Sequence, residues 1–185
     1  MEKAETYRYE FVSADTFFSI FKKYRDELFD NAITFDVEKL YSQEEKDKAS
    51  KLTFHPLGIY LLAYDGDQLI GWSFGQQQQK TVFCMTNSAV FELYRRKGIY
   101  TCMAQLVVNK ATEIGFQKIY SRHKISNNAV IIAKLKLGFM IGGIELSDRF
   151  GALVRLNYFP NRARENLFRY RAGEKTLPSQ FKEGK

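Results

Sequence analysis

Three basic residues followed by a glycine occupy the junction between a β-rich stretch and an amphipathic helix. They are Arg95, Arg96 and Lys97, and Gly98 comes next. A glycine lets the backbone approach a ligand closely, and the first turn of a helix offers free N–H groups at the positive end of its dipole. The three side chains add positive charge at the same place. The junction therefore has the properties of a phosphate-binding site.

The residues after Gly98 predict the helix that such a site requires. Gly115 stands where a left-handed helix cap belongs, so the spacing predicts a helix over 98–114. Apolar residues recur at helical spacing through this stretch: Ile99, Cys102, Met103, Leu106, Val107, Ala111 and Ile114.

Two motifs resemble the signatures of the GNAT acyltransferase superfamily. The first is Arg95-x-x-Gly98-x-Tyr100, against the family's Arg/Gln-x-x-Gly-x-Gly/Ala. Tyr100 departs from that pattern and fits only if its side chain points away from the diphosphate. The second is Asn127 at the start of a helix that ends in Lys136-Leu137-Gly138-Phe139. The same two residues are also explained as a helix cap, Asn127, and a helix stop, Gly138, and both interpretations can hold together.

The resemblance implies a fold, a reaction and a set of ligand contacts. The fold is α/β (α+β) and GNAT-like: a central mixed, mostly antiparallel, twisted sheet of about seven strands flanked by helices. The reaction is transfer of an acetyl or other acyl group from acetyl-coenzyme A to a primary amine, with no metal. The diphosphate would lie on the amides of residues 96–101, and the Val90 amide would polarise the thioester carbonyl and stabilise the oxyanion. The implied cofactor-binding residues are Val90, Arg95, Arg96, Lys97, Gly98, Ile99, Tyr100, Thr101 and Asn127.

Two residues are candidates for proton transfer. His123 ends a predicted strand four residues before Asn127, and it is either the base that deprotonates the acceptor or a core-facing strand residue. Lys134 occupies the position where many family members carry a tyrosine that protonates the departing thiolate. It is either that proton donor or a solvated helix residue, in which case Tyr100 or Tyr120 becomes the candidate donor.

The remaining strands are predicted from β-branched and aromatic runs and from turn residues. Asp65-Gly66 favours a hairpin turn between two antiparallel strands, and the polar residues 86–89 indicate a bulge or a splayed edge. The glutamines at 76–79 are assigned to a loop. The predicted strands are 6–12, 59–64, 68–75, 82–91, 118–123, 139–146 and 150–158.

Three further helical stretches are predicted from capping residues and periodicity. Ser13 caps the first, whose core-facing stripe includes Phe17. The second begins near Asp36, contains the capping-box pair Ser42 and Glu45, continues an apolar face through Ala49 and Leu52, and ends at His55-Pro56. The third begins at the cap Ser126 and ends at Gly138.

Length and charge bound the organisation of the chain. The 185 residues, 45% of them apolar, predict a single domain over 1–160, followed by a basic, partly disordered tail over 161–185. The net charge of +7 is uneven: residues 26–47 hold eight acidic residues against two lysines, a charge of −6 that leaves +13 elsewhere. The resembled family covers the acceptor side of its cleft with this region. An acidic segment there predicts a cationic acceptor.

Several functional classes are disfavoured by the sequence. No apolar run could span a membrane and the N-terminus lacks a signal-peptide pattern, so a cytoplasmic protein is expected. Cys84 and Cys102 form neither a disulfide framework nor a zinc motif, and both are expected to be reduced and partly buried. The main alternative to an enzyme is a coenzyme-A-binding sensor without turnover. A nucleic-acid-binding module ranks third because the aromatic residues fall at core-periodic positions, and a homodimer is possible.

Overall fold

The computed structural model describes residues 7–29 and 37–174. The strands are β1 Arg8–Phe11, β2 Gly58–Asp65, β3 Gln68–Gln79, β4 Val82–Val90, β5 Lys118–Lys124, β6 Met140–Ser147 and β7 Gly151–Tyr158. The α-helices are α1 Ala14–Phe29, α2 Gln43–Ser50, α3 Ile99–Ile114, α4 Asn128–Lys136 and α5 Arg162–Arg171, with 3₁₀ turns at Val37–Leu40 and Glu92–Tyr94. No described helix combines the length and the apolar character needed to cross a bilayer.

The strands form one seven-stranded sheet in the order β1-β2-β3-β4-β5-β7-β6. Its neighbours are antiparallel except β4 and β5, which run parallel because α3 crosses over between them. The expected mixed, mostly antiparallel sheet flanked by helices is therefore confirmed.

Helices cover the two faces of the sheet with separate apolar clusters. The larger cluster lies under α3, where Met103 and Val107 have no exposed surface. On the opposite face, Phe17 of α1 is fully buried against Leu62 and Trp72. Because successive residues of a strand face opposite sides, the central strands β2, β3 and β4 contribute side chains to both clusters.

An extra residue bends β4 near its centre. Phe74 of β3 pairs with Asn87 whereas Gly75 pairs with Met85, so Thr86 has no opposite residue on β3. The register shift confirms the bulge that the polar stretch at 86–89 predicts. The Asn87 side chain accepts a hydrogen bond of 2.8 Å from the indole N–H of Trp72, which anchors the strand after the bulge.

Four local predictions are wrong. The run at 76–79 is not a loop, since β3 continues to Gln79 and pairs with β4. Ser126 is not the cap of α4, because the Asn127 side chain accepts the bond from the Val130 amide at 3.4 Å. Cys102 is exposed rather than partly buried. The capping box of α2 is confirmed, but its expected apolar face is not, since Leu52 is 82% exposed and α2 buries no residue.

The structure also adds a helix that the sequence pattern does not predict. Asn161 caps α5 through a 3.1 Å bond from the Arg164 amide, and Glu165 pairs with both Arg162 and Arg169. Four arginines among its ten residues obscure the apolar spacing of this helix. The predicted disorder falls at the end of the tail, and residues 175–185 lie outside the described residues. Residues 30–36 of the acidic segment also lie outside them.

Candidate functional site

The parallel strands β4 and β5 separate partway along their length. Their pairing ends at Met85 and Ser121, which leaves a wedge-shaped gap beyond these residues. The Phe91 amide donates a 2.9 Å hydrogen bond to the Ile70 carbonyl of β3. Backbone groups of successive residues point to opposite edges of a strand, so the Val90 amide points away from β3 and toward the gap. The predicted carbonyl-polarising donor therefore faces open space at the end of β4.

Two residues before α3 adopt left-handed backbone conformations. Arg96 has φ 64° and Gly98, the N-cap of the helix, has φ 81°. Such alternation turns successive N–H groups toward one concave side, which suits an anion. A Cβ added to Gly98 would meet no atom within 4 Å, so the space beside the glycine is open to a ligand.

The side chains of the junction take different directions. Arg95 donates from Nε to the Val90 carbonyl at 3.2 Å, which ties the approach to α3 to the end of β4. The Lys97 ammonium lies 5.5 Å from the centre of the Tyr94 ring. Tyr100 packs against the larger apolar cluster, and its burial raises its pKa. Tyr100 also lines the cleft described below, so the expectation that it points away from a diphosphate stays a prediction.

A cleft of about 680 Å³ extends from the gap along the start of α3. Leu28 of α1 closes one side of it. Residues implied by the resemblance that line it are Val90, Arg95, Arg96, Gly98, Ile99, Tyr100, Thr101 and Asn127, and residues that the sequence analysis missed are Leu28, Ser88, Ala89, Tyr94, Ala129, Val130 and Ala133. Ser88 could have been predicted from the polar stretch at 86–89. Nothing in the sequence distinguishes the small apolar residues of α4 as lining a cleft.

Lys134 is the most unusual residue beside the cleft. It does not line the cleft, although the preceding Ala133 does, and only 1% of its surface is exposed. Its Nζ lies 2.8 Å from the Met85 sulfur and 4.2 Å from the centre of the Phe139 ring. Burial away from counter-charges lowers its pKa to about 7. The alternative of a solvated helix residue is therefore wrong.

His123 is held within the sheet rather than in the cleft. Its Nε2 shares a 2.9 Å hydrogen bond with the hydroxyl of buried Ser121, and it pairs with Val154 of β7. Burial, together with the nearby Lys134, lowers its pKa to about 4. The imidazole is thus neutral at pH 7 but accepts a proton only weakly, which makes it a poor base for an ammonium group.

Tyr120, one of the two tyrosines considered as a donor, belongs to the opposite face of the sheet. Burial and its interaction with Cys84 raise its pKa to about 12, so the phenol stays protonated at neutral pH. Burial likewise raises the pKa of the Cys84 thiol. Among the described residues, no group of three or more His, Cys, Asp or Glu side chains is placed to hold a metal ion.

Comparison with known proteins agrees with this geometry. The model of the acetyltransferase (GNAT) family matches residues 17–139. No curated protein matches the chain.

Similar solved structures include the ribosomal-protein-S18-alanine N-acetyltransferase from Escherichia coli, with 16% identity, coverage of 83% of this chain and 94% of that one, and a TM-score of 0.58. An acetyltransferase from Bacillus subtilis in complex with CoA has 19% identity, coverage of 84% and 100%, and a TM-score of 0.58. NAA60 from Arabidopsis thaliana, in complex with a bisubstrate analogue, has 15% identity, coverage of 84% and 100%, and the same score of 0.58. At these identities the likeness concerns the fold.

Proposed function

The chain belongs to the acetyltransferase (GNAT) family, and we propose that it transfers an acetyl group from acetyl-coenzyme A to a primary amine. The observation that supports the proposal is the gap between β4 and β5, because Val90 at the end of β4 and the first residues of α3 line the same cleft. The cleft fits an acyl-coenzyme A because it joins a backbone donor for a carbonyl to a concave set of amides for a diphosphate.

The backbone supplies most of the proposed mechanism. Acetyl-coenzyme A, when bound, supplies an activated thioester. The amides from Arg96 to Thr101 would hold the diphosphate, with charge from Arg95, Arg96 and Lys97, and Asn127 would contact the pantetheine or ribose. The Val90 N–H would donate to the carbonyl oxygen as negative charge develops on it. Holding the amine and thioester together accounts for much of the expected rate.

Lys134 is the proposed proton donor to the departing thiolate. A group whose pKa matches the working pH is the most effective acid, and the pKa of Lys134 is lowered to about 7. Its Nζ contacts the sulfur of Met85, the last β4 residue paired with β5, and the preceding residue Ala133 lines the cleft. His123 is the weaker candidate for the base, because its pKa is lowered to about 4.

The acidic segment gives only indirect support for a cationic acceptor. Its described acids are already engaged: Glu44 with Lys48, Glu45 with Ser42, and Asp47 with Gln43. The cationic acceptor therefore stays a prediction. It requires that turnover favour cationic amines and fall as salt screens the attraction.

A panel of amines tests the proposed function. Release of free coenzyme A thiol from acetyl-coenzyme A should depend on an added amine, and the amine should gain the mass of one acetyl group. A coenzyme-A-binding sensor would bind acetyl-coenzyme A without amine-dependent release, and this result would contradict an enzyme. A nucleic-acid-binding module would instead bind single-stranded RNA or DNA with strong salt dependence.

The proposed domain organisation is the one that the sequence predicts. Residues 1–160 form the acyl-coenzyme A domain and 161–185 a basic tail, of which the part from Arg162 to Arg171 is helical. Cytoplasmic localisation and a homodimer remain predictions.

A further inference from the structure

The face of β5 that points away from α3 carries a row of polar side chains. Ile119 and Ser121 are buried on the α3 side, where Ile119 belongs to the larger apolar cluster. Side chains alternate along a strand, so Lys118, Tyr120 and Arg122 share the opposite face. Arg122 is the first β5 residue beyond the pairing with β4. This face therefore extends from the part of β5 that pairs with β4 to the gap beyond that pairing.

Neighbouring elements bring more positive charge to the same face. Arg155 of β7 lies opposite Arg122 across the strand pair. Arg164 of α5 reaches the start of β5, where its guanidinium donates to the Gln117 carbonyl at 3.4 Å. We call the group formed by Lys118, Arg122, Arg155 and Arg164 the basic face.

One carboxylate partly balances the basic face. Glu145 of β6 lies 2.8 Å from the Arg155 guanidinium and 3.9 Å from that of Arg122. Among the described residues, it is the only carboxylate paired with any member of the group. Four cations against one anion leave a net charge of +3. Burial and the proximity of Arg155 and Arg164 lower the pKa of Lys118, which agrees with this excess of positive charge.

Buried polar atoms on the same face lack partners in the described structure. The Arg155 Nε and the Asn157 Oδ1 are both buried without a hydrogen bond. Asn157 is 2% exposed and lies opposite Tyr120, between the two ends of the basic face. Unsatisfied buried donors and acceptors are rare in proteins because each costs free energy. The accessible part of Arg155 is the end of its guanidinium, which already contacts a carboxylate, that of Glu145.

The basic face lies on the side of the sheet opposite α3 and meets the gap at Arg122. Most of the donor cleft is lined by the end of β4, the start of α3 and α4, and Leu28 is the contribution of α1 from the other face. An acceptor that approaches from that other face would reach the gap beside Arg122. Ser88 is three residues beyond Met85, roughly 10 Å along β4. An acceptor whose amine lies at this level can extend a distal group toward Arg122.

We propose that the basic face binds a carboxylate or phosphate group carried by the amine acceptor. Arg122 and Arg155 provide the planar donors that suit either oxyanion, and Glu145 already shows that a carboxylate fits between them. The proposal rests on the acetyltransferase function proposed above. The basic face predicts a negative charge on the distal group of the acceptor, whereas the acidic segment predicts a positive one. A single panel of amines decides between these two predictions.

The panel uses amines of similar length that differ in the distal group: pentylamine, 5-aminopentanoate, 4-aminobutyl phosphate and cadaverine. Binding to the protein saturated with coenzyme A is measured by calorimetry, and acetyl transfer is measured separately. One or both anionic amines should bind about tenfold or more tightly than pentylamine, and cadaverine most weakly. Comparison of the carboxylate with the phosphate identifies the source of the oxyanion. Equal binding of all four, or preference for cadaverine, overturns the proposal.

Three variants connect the preference to the basic face. Arg122→Ala should remove the advantage of the anionic amines while leaving pentylamine unchanged, and Glu145→Gln should strengthen anion binding. Lys110→Ala, which removes a lysine paired with Glu113 on α3, controls for net charge and should change neither. If the anionic amines keep their advantage in Arg122→Ala, the assignment of anion binding to the basic face is contradicted. The same holds if an oligonucleotide displaces the amines from the wild type but not from Arg122→Ala. Selective anion binding without acetyl transfer would instead refute the proposed enzyme.

Discussion

The two faces of the sheet beside the β4–β5 gap differ in how deeply they bury ionisable side chains. On the face covered by α3 and α4, burial lowers the pKa of Lys134 to about 7 and that of His123 to about 4. On the other face, Arg122 and Arg155 remain partly exposed and charged, with one carboxylate between them. Both faces border the same gap. The difference agrees with the two proposals, which put proton transfer on the covered face and recognition of charge on the open face.

The largest expected effect separates Lys134 from its exposed neighbours on α4. Lys134→Met should lower kcat by roughly a hundredfold or more, as expected when a catalytic acid is lost. KM for acetyl-coenzyme A should change little. Lys136→Met, an exposed substitution two residues away, is the matched control and should retain full activity. A loss of only a few-fold for Lys134→Met would assign the residue a structural role and leave the thiolate to depart unaided.

The pH profile of the same pair examines the protonation state. A donor must be protonated, and the pKa of Lys134 is lowered to about 7. Under saturating substrates, kcat should therefore fall by about tenfold per pH unit above this value. The profile of Lys134→Met should lack this decline, whereas that of Lys136→Met should keep it. An unchanged profile in Lys134→Met would show that another group governs the decline.

As the pH rises above 7, the stability of the wild type should increase while its activity decreases. The pKa of Lys134 falls from 10.5 to about 7 on folding, so the unfolded chain binds an additional proton between these values. The free energy of unfolding of the wild type should therefore rise as the pH increases from 7 to 10, and the penalty is fully present below pH 7. Lys134→Met removes it and should stabilise the protein by roughly 4 kcal/mol at most at pH 7.

Urea unfolding at pH 7 and pH 9 measures this stabilisation. The advantage of Lys134→Met should shrink at pH 9, because the wild-type penalty is smaller there. A variant that is less stable than the wild type at pH 7 would show that the amine is favourably bound rather than destabilised by burial.

The smallest expected effect concerns His123. The pKa of its imidazole is lowered to about 4, and it bonds with Ser121 inside the sheet. His123→Gln preserves a polar group at this site and should lower kcat/KM by no more than a few-fold. A loss of about a hundredfold, typical of a missing general base, would restore His123 as the acceptor of the amine's proton.

Much of the fold follows from local patterns. Periodicity and the two glycines predict α3 closely, and Asp65-Gly66 predicts the β2–β3 hairpin because each depends on nearby residues. The start of α3 and the bulge in β4 were predictable for the same reason. The assignment of 76–79 to a loop was wrong because strand pairing with β4, not local propensity, holds the glutamines extended.

The two functional faces depend on distant contacts, and the sequence could not predict them. Lys134 is buried because Met85 and Phe139 surround it, and charged helix residues are ordinarily exposed. The basic face brings together residues 118, 122, 155 and 164 only through the pairing of β5 with β7 and the return of α5. Alternation along β5 indicates that Lys118 and Arg122 share a face, but not which residues complete it.

The most direct test of the account compares two glycines of α3. Gly98 begins the helix at φ 81° beside the cleft, and Gly115 ends it at φ 104°, and an added Cβ meets no atom within 4 Å at either. Gly98→Val and Gly115→Val therefore impose similar backbone strain on one helix. Calorimetric titration with acetyl-coenzyme A should show affinity reduced by about tenfold or more in Gly98→Val, with Gly115→Val close to the wild type. Equal affinity in both variants, with circular dichroism showing intact folds, would contradict the cleft as the acyl-coenzyme A site.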